Sequence, residues 1–434
     1  MSDFYANKIA LAPMVKGGRT PLRLLALKYG AELVYTEEIV DVKLLHSRRV
    51  VNDILGTVDY LNNTEVVLRI AKEEREKIVL QIGTNNAENA VGVLKKLQGD
   101  VAALDVNMGC PKPFSISGGM GAALLSKPES VKHILTALVA NATIPISCKI
   151  RVLDEPSKTA EFVKMLESTG IQAFGIHGRR RDERPGDDNR ISEIKEVVGL
   201  VKIPVIANGN SYLIKENADI EKFRTDTTAS SVMIGRKALQ NPSIFRKEGV
   251  LTMEEEISDF LDLACQYDES YTQTKYVVQR ILGGQQEFDP RGRATVAAVN
   301  VIEICQAWGK EDVYIKWRDY RRRHSLKRKE GPLEDVDGIQ TGAITFPAKR
   351  LKLKITPKLL LNTYCDEKYI ARPKYSTSKR DSDHRFEGVV EIDGKKYSSN
   401  VSQPNIKMAE QVAALVAIIG LGIRERLPGD WEEQ

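Results

Sequence analysis

The chain has 434 residues, of which 42% are hydrophobic and 28% are charged, and its formal net charge is +5 at pH 7. This composition is typical of a soluble globular protein, and the absence of any run of about 18 apolar residues excludes a membrane-spanning helix. The length predicts two or three domains, and the segment from Met1 to Ile9 has no apolar core of a secretory signal.

The five cysteines are scattered, odd in number and without a CxxC pair. This pattern predicts reduced thiols in an intracellular compartment and argues against a structural zinc site. We expect the cytoplasm, with the nucleus as an alternative, and no metal.

The first 236 residues predict an α/β domain with eight strands. Several strands are continuous apolar runs, which is typical of parallel strands buried on both faces, and most gaps between them have a helical pattern. Eight such strands alternating with helices predict a (β/α)8 TIM barrel over residues 1–241. The alternative is an open doubly wound sheet, but the Gly-x-Gly-x-x-Gly signature is missing after the first strand. The predicted strands are Lys8–Met14, Leu33–Thr36, Ile78–Gly83, Val101–Asn107, Ile144–Arg151, Ala173–His177, Ile203–Asn208 and Ser231–Gly235.

Polar or reactive residues stand where most of these strands end. In a barrel, the carboxyl ends of the strands meet at one mouth, where such enzymes place their sites. Exposure of a strand end explains one or two such residues but not a convergent set. The strand ends are Met14, Glu37, Gln81, Asn107, Lys149, His177, Asn208 and Arg236.

The segment from Leu104 to Pro113 places Cys110 in the first loop after a strand, because Gly109 and Pro111 interrupt the strand pattern. A pliant Gly/Ser segment follows. A thiol on such a loop can reach a substrate bound over the strand end. The alternative is that Cys110 is a small buried hydrophobe.

Residues 242–330 predict a helical domain. The segment Thr252-Met253-Glu254-Glu255 is a capping box, and Ala294 to Trp308 predicts one amphipathic helix. Cys265 and Cys305 are expected in the core. A basic run over 316–329, interleaved with aromatic residues, indicates either a solvated helix face or a contact with a phosphate backbone. Residues 331–348 predict a linker.

The C-terminal part predicts an α-β-β-β-α order. A helix begins at Thr356-Pro357, three strands follow at Tyr375–Ser378, Arg385–Ile392 and Lys396–Val401, and a last helix begins at Asn405. This order over residues 349–422 resembles a double-stranded-RNA-binding domain with a basic N-terminal extension.

The segment from Asn107 to Pro111 resembles the Asn-Met-Gly-Cys-Pro motif of the tRNA-dihydrouridine synthases. Further matching segments occur in the family's order along the barrel, and the resemblance extends over about nine-tenths of the chain. The RNA-binding module points to the branch that reduces uridine-20 in the tRNA D-loop. The further segments are Leu11–Val15, Tyr35–Glu38, Gln81–Gly83, Lys149–Arg151, His177–Arg179, Ala207–Gly209 and Gly235–Arg236.

The resemblance implies bound FMN, hydride from NADPH and tRNA as the substrate. Gly209 and Arg236 follow the last two strands, the usual phosphate site of this fold, and Lys149 and His177 suit the pyrimidine end of a flavin. Cys110 is expected to be the general acid that protonates the uracil ring. The expected cofactor-binding residues are Pro13, Met14, Val15, Gln81, Lys149, His177, Asn208, Gly209, Asn210, Gly235 and Arg236.

The expected substrate-binding residues fall into two groups. Asn107, Arg151 and Arg179 belong to the barrel mouth, and the others belong to the RNA-binding module. Two positions depart from the family: Asn210 stands where relatives often have Asp or Gly, and Ile406-Lys407 replaces a usual pair of lysines. The expected RNA contacts of the module are Arg350, Lys352, Lys354, Lys358 and Lys407.

Two other functions remain as alternatives: a small-molecule flavin oxidoreductase of the same fold and a catalytically inactive RNA-binding protein. The joint presence of Cys110, Lys149 and His177 disfavours an inactive barrel, and the basic module is unexplained in a small-molecule enzyme. We expect a monomer.

Overall fold

A computed structural model describes residues 4–62, 65–183, 186–329, 333–342, 344, 356–380 and 385–423. The chain forms two compact units, which divide between Trp317 and Arg318. Within those ranges, none of the helices has both the length and the apolar character that crossing a membrane requires.

Among its described residues, the first unit contains twelve strands. They are β1 (Ile9–Leu11), β2 (Leu33–Tyr35), β3 (Ile39–Val40), β4 (Arg48–Asn52), β5 (Thr57–Asn62), β6 (Glu65–Ala71), β7 (Ile78–Gly83), β8 (Ala103–Asn107), β9 (Ile146–Arg151), β10 (Ala173–His177), β11 (Val205–Asn208) and β12 (Ser231–Ile234).

The helices that begin in this unit surround the strands or follow them in the chain, and the last of them continues past Trp317 into the second unit. They are α1 (Thr20–Lys28), α2 (Asp41–Leu45), α3 (Ala87–Leu97), α4 (Pro113–Ser117), α5 (Pro128–Asn141), α6 (Pro156–Ser168), α7 (Ile191–Leu200), α8 (Asn217–Thr227), α9 (Arg236–Gln240), α10 (Met253–Gln266), α11 (Tyr271–Leu282), α12 (Pro290–Ala297), α13 (Val301–Ala307) and α14 (Glu311–Lys329).

Eight parallel strands close into a barrel. Their order is β2-β1-β12-β11-β10-β9-β8-β7, and β7 pairs with β2 through Val34 and Ile78. This closing pair confirms the predicted TIM barrel and excludes the open sheet. Every residue of β7 and β8 is buried, because helices cover the outside and side chains fill the inside.

An insertion between β2 and β7 was missed by sequence analysis. Strands β4, β5 and β6 form a separate antiparallel sheet, in which an ion pair joins Asp59 on β5 to Arg69 on β6 at 2.8 Å. Its turn at Gly56 has φ +68°. Sequence analysis assigned only strands that alternate with helices, so it passed over a meander of consecutive strands.

The helices after the barrel confirm some local predictions and correct one. The capping box is present: Glu255 N donates to Thr252 Oγ1, and Thr252 N donates to Glu255 Oε2 at 2.9 Å. The single helix predicted from Ala294 to Trp308 is wrong, because α12 ends at Ala297 and Asn300 caps a new helix by accepting from Glu303 N at 2.9 Å.

The boundary predicted at residue 241 does not separate compact units. Phe260 and Leu261 on α10 belong to the same hydrophobic core as Leu22 and Leu25 on α1. Cys265 and Cys305 lie in this core as expected. The barrel and the helices that follow it therefore form one body.

After α14, the described residues of the second unit form a five-stranded sheet, in the order β13-β14-β17-β16-β15, and two helices. The predicted α-β-β-β-α order is confirmed. Apolar residues of the last helix, such as Val412 and Val416, share a core with Val390 and Tyr397 of the sheet. The elements are β13 (Glu334–Val336), β14 (Ile339–Gly342), α15 (Pro357–Lys368), β15 (Lys374–Lys379), β16 (Phe386–Ile392), β17 (Lys395–Ser399) and α16 (Ile406–Gly420).

Part of the predicted linker is structured. Residues 334–342 form the β13–β14 hairpin, and β14 pairs in parallel with β17, so that Gln340 is opposite Tyr397. The signal was present in the sequence: Asp337-Gly338 has positive φ values of 53° and 79°, as Asp393-Gly394 does in the predicted hairpin.

Candidate active site

A cavity of about 460 Å³ opens at the carboxyl ends of the barrel strands. All the expected cofactor-binding residues except Asn210 line it, together with Asn107, Cys110, Arg151 and Arg179. The barrel thus brings together predicted residues that are far apart in the chain: Pro13 and Arg236, for example, are 223 positions apart. Seven of the eight predicted strand-end residues line this site, and Glu37 does not, because its carboxylate accepts from Lys16 N and pairs with Arg19 instead.

Asn210 lies next to the cavity wall rather than in it. Its φ is +59°, in the left-handed region that Asn, Asp and Gly tolerate best. The preceding Gly209 has φ +125°, and a Cβ atom there would lie 2.2 Å from Asn189 Oδ1. The turn after β11 therefore requires these residue types for its backbone conformation, which accounts for an Asn where relatives have Asp or Gly.

Residues at the carboxyl ends of β11 and β12, the last two barrel strands, also line the cavity. Asn208 Nδ2 donates to the carbonyl oxygen of Met233 at 2.9 Å and so joins β11 to β12. Arg236 begins α9 directly after Gly235, and its guanidinium carbon lies 5.9 Å from the ring centroid of Tyr212. A cation and two glycines with accessible backbone suit a phosphate group.

Asn107 and Arg151 hold the loop that carries Cys110. Asn107 Oδ1 accepts from the backbone N–H groups of Gly109 at 3.1 Å and Cys110 at 2.9 Å. Arg151 Nε donates to the carbonyl oxygen of Gly109 at 2.8 Å. Sequence analysis expected both residues to bind substrate, and the structure adds a positioning role for each.

Gln81 belongs to a buried hydrogen-bond network. Its Nε2 donates to Asp105 Oδ2 at 2.8 Å, and its Oε1 accepts from Asn107 Nδ2 at 2.9 Å. Ser147 Oγ donates to the other oxygen of Asp105 at 2.7 Å. Burial raises the pKa of Asp105 to about 6, although these hydrogen bonds oppose the shift. The network fixes the Gln81 amide in the cavity wall.

Two basic side chains in the cavity are poorly solvated. Burial, reinforced by the charge of Arg151, lowers the pKa of Lys149 to about 8. Burial, reinforced by Lys149 and nearby arginines, lowers the pKa of His177 well below its usual value. Because Nδ1 of the neutral His177 ring accepts from Arg179 N at 3.2 Å, its proton is assigned to Nε2, which is left as a donor.

The Cys110 thiol is held in its protonated form. Burial raises its pKa, and the charge of Glu38 adds to the increase, while Lys112 opposes it. A cysteine nucleophile needs a lowered pKa, whereas a thiol acid must keep its proton until it transfers it. The environment of Cys110 therefore favours acid chemistry.

Three residues of this site were missed as candidates. Glu38 lines the cavity beside Cys110, and Tyr276 and Arg280 on α11 reach the cavity from the helical segment. The Arg280 guanidinium carbon lies 4.9 Å from the ring centroid of Tyr276. The i, i+4 spacing of an aromatic and a basic residue on one helix face was the available signal.

In the second unit, Lys358 and Lys407 differ in their surroundings. Lys358 Nζ lies 2.7 Å from Glu410 Oε2 and 4.2 Å from the ring centroid of Tyr375. Lys407 is exposed at the start of α16. The expected contacts Arg350, Lys352 and Lys354 fall outside the described residues.

The fold and the cavity together define a (β/α)8-barrel protein whose site lies at the carboxyl-terminal mouth. Residues 10–289 match the family model described as "Dihydrouridine synthase (Dus)". The chain belongs to this family, and the predicted resemblance is confirmed. Residues 357–421 match the double-stranded RNA binding motif.

Two similar curated relatives are fungal proteins named tRNA-dihydrouridine(20) synthase [NAD(P)+]. The Schizosaccharomyces pombe protein is 38% identical over 293 residues, which cover 64% of this chain and 60% of that protein. The Saccharomyces cerevisiae protein is 35% identical over 304 residues, which cover 65% of this chain and 79% of that protein. A Mus musculus protein named tRNA-dihydrouridine(16/17) synthase [NAD(P)(+)]-like is 31% identical over 255 residues, which cover 58% of this chain and 50% of that protein.

Proposed function

We propose that this protein is an FMN-dependent tRNA-dihydrouridine synthase that uses NADPH to reduce uridine to 5,6-dihydrouridine at position 20 of the D-loop. The observation that carries the proposal is the Cys110 thiol, with its raised pKa, in one cavity with Lys149, His177 and Arg236. Position 20 is supported by the names of the two fungal relatives, which are more similar than the 16/17-type relative. Such a substrate implies the cytoplasm or the nucleus.

The chemistry of the cavity fits FMN. Arg236 and the backbone of Gly209 and Gly235 would hold the phosphate, and Lys149 with the Nε2–H of His177 would face the electron-rich pyrimidine edge. A volume of about 460 Å³ is in the range of small-molecule sites. When bound, FMN supplies a hydride from NADPH to C6 of the uracil ring.

Cys110 supplies the proton that completes the reduction. Its Sγ–H bond breaks, and the proton goes to C5 of the uracil ring while the electron pair of the bond stays on sulfur. Asn107 and Arg151 fix the loop, so the thiol approaches C5 in one geometry. The stacked base has to be extruded from folded tRNA to reach this cavity.

Tyr276 and Arg280 are placed to bind RNA at the cavity. Their ring and guanidinium suit stacking on a neighbouring base and contact with a phosphate. In the second unit, the expected RNA contacts are Lys407 and the basic extension, while Lys358 already pairs with Glu410. We infer that tRNA binds both units.

The test is reoxidation of the reduced flavin. Protein purified with its flavin is reduced by NADPH without oxygen and then mixed with tRNA that lacks dihydrouridine, or with small pyrimidines. We expect only tRNA to reoxidise the flavin rapidly and to gain dihydrouridine at position 20. Reoxidation by a small pyrimidine instead would favour the small-molecule oxidoreductase, and a colourless protein that binds tRNA would favour the inactive barrel.

A further inference from the structure

Glu38 lies beside Cys110, although 72 positions separate them in the sequence. It stands in the loop between β2 and β3, and its carboxyl group interacts with the Cys110 thiol. Ser115 on α4 donates from Oγ to Glu38 Oε1 at 2.9 Å. These three side chains form what we term the thiol–carboxyl cluster.

The thiol–carboxyl cluster is tightly packed. A Cβ atom added at Gly83 would lie 2.7 Å from Glu38 Oε1. One added at Gly121 would lie 2.3 Å from Ser115 Oγ and 3.2 Å from Cys110 Cβ. Ser115 is fully buried. The Glu38 carboxyl group therefore packs closely against Gly83 and Ser115 beside the Cys110 thiol.

One oxygen of Glu38 has an unusual environment. Oε2 is buried and has no hydrogen-bond partner within the part of the chain that the structure describes. A carboxylate in this position would leave part of its charge unsolvated, whereas a neutral carboxylic acid would not. Burial raises the pKa of Glu38, and the hydrogen bond from Ser115 and the neighbouring Cys110 thiol oppose that shift. The site thus shifts the Glu38 carboxyl group toward its protonated form, relative to a carboxyl group in water.

Few other charges face the cluster. Lys112 favours the charged forms of both Glu38 and Cys110, and Lys149 interacts with Cys110 from β9. Both of these residues are amines, whereas Glu38 is the carboxylic acid beside the thiol. Since Glu38 also lines the cavity, water entering the cavity can restore its proton.

We propose that Glu38 is a positioning residue that returns a proton to Cys110 after each turnover, an inference that rests on the proposed function. Once C5 of uracil has taken the thiol proton, Cys110 is a thiolate. The O–H bond of the Glu38 carboxyl then breaks, its proton forms a new S–H bond, and the electron pair stays on the carboxylate. An O–H bond of a water molecule in the cavity then breaks to reprotonate the carboxylate, and the hydroxide that remains takes a proton from the bulk solvent, so each turnover consumes one solvent proton and the electrons balance.

The test compares the first turnover with steady-state turnover in Glu38→Gln. Enzyme whose flavin has been reduced beforehand starts with a protonated thiol, so we expect tRNA to reoxidise it within about twofold of the wild-type rate. Steady-state turnover should fall roughly 100- to 10,000-fold, the range expected when a positioned acid is lost. Added imidazolium or acetic acid should restore it in proportion to concentration, and without them the rate should decline as pH rises.

Two further variants separate this role from a structural one. Glu37→Gln is the matched control, because Glu37 pairs with Arg19 at 3.5 Å outside the cavity, and it should behave as wild type. Glu38→Asp retains a carboxyl group and should not need added acid.

The proposal is overturned if Glu38→Gln turns over at the wild-type rate. The proposal is also overturned if Glu38→Gln already shows its full loss of rate in the first turnover and added acid does not restore that rate. A third contrary result would be that Glu38→Asp needs added acid as much as Glu38→Gln. Failure of the proposed function would be different, since the wild-type flavin would then not be reoxidised by tRNA at all.

Discussion

Asn107 Oδ1 accepts a hydrogen bond from the backbone N–H of Cys110 at 2.9 Å, so the last residue of β8 fixes the loop that carries the thiol. The same oxygen accepts from Gly109 N. We expect Asn107→Ala to retain FMN and to be reduced normally by NADPH. Loss of two hydrogen bonds worth about 1 kcal/mol each should slow reoxidation by tRNA roughly 30-fold.

The measurement for Asn107→Ala is stopped-flow flavin absorbance in the two half-reactions. Asn86→Ala is a suitable control, since Asn86 caps α3 through Asn89 N and does not line the cavity. Reoxidation of Asn107→Ala at the wild-type rate would show that the loop does not need this anchor.

Cys110→Ala should keep its flavin and its reduction by NADPH and lose nearly all uridine reduction. The physical reason is that the thiol, with its raised pKa, is the acid placed at the cavity. Stopped-flow should show slow reoxidation of Cys110→Ala by tRNA. The control Cys148→Ala, a change at a buried core cysteine, should be reoxidised at the wild-type rate. Rapid reoxidation of Cys110→Ala would remove Cys110 from the mechanism.

Arg236→Ala should weaken FMN retention. A lost charge-assisted contact with a phosphate costs roughly 1.5–3 kcal/mol, or about ten- to hundredfold in affinity. Flavin content after dialysis measures the effect, with Arg246→Ala as the control, because Arg246 lies over Tyr29 and does not line the cavity. Full flavin content in Arg236→Ala would mean that another group holds the phosphate.

Lys149 should impose a pH dependence on flavin reduction by NADPH. Because burial lowers its pKa to about 8, its positive charge is present below that pH and lost above it. The wild-type rate should therefore fall with a midpoint near pH 8, which lies below the raised pKa of Cys110. Lys149→Met should be slow at every pH and lack this midpoint; a Lys149→Met profile that still falls near pH 8 would assign the titration to another group.

The basic extension should contribute more to tRNA binding than Lys407 does. Each phosphate contact that is removed should lower the slope of log affinity against log salt by about one. We expect Arg350, Lys352 and Lys354 changed together to Ala to weaken tRNA binding more than Lys407→Ala, with flavin content and NADPH oxidation unchanged. An unchanged slope in the triple variant, with a large loss in Lys407→Ala, would mean that the start of α16 dominates.

Local signals in the sequence determined the elements that depend on neighbouring residues. The capping box at Thr252, the helix start at Thr356 and the turn at Asp393 depend on residues within a few positions of each other, and the structure has all three. Barrel closure was also predictable, because buried parallel strands alternating with helices have few other ways to cover both faces. Residues at strand ends, such as His177, then converge by geometry alone.

Tertiary structure decided the contacts that no local pattern records. Glu38 meets Cys110 only because β2 and β8 end at the same mouth, and Tyr276 reaches the cavity only because α11 packs on the barrel. The break between α12 and α13 has a local signal in the Asn300 cap, but the carbonyl oxygen of Ala298 in that break also accepts from Tyr271 at 2.7 Å, a distant partner. Sequence patterns specify which residues are buried along one element, whereas packing between elements determines which buried or reactive groups touch. That packing brings Glu38 to Cys110 and therefore sets how the Cys110 thiol keeps its proton.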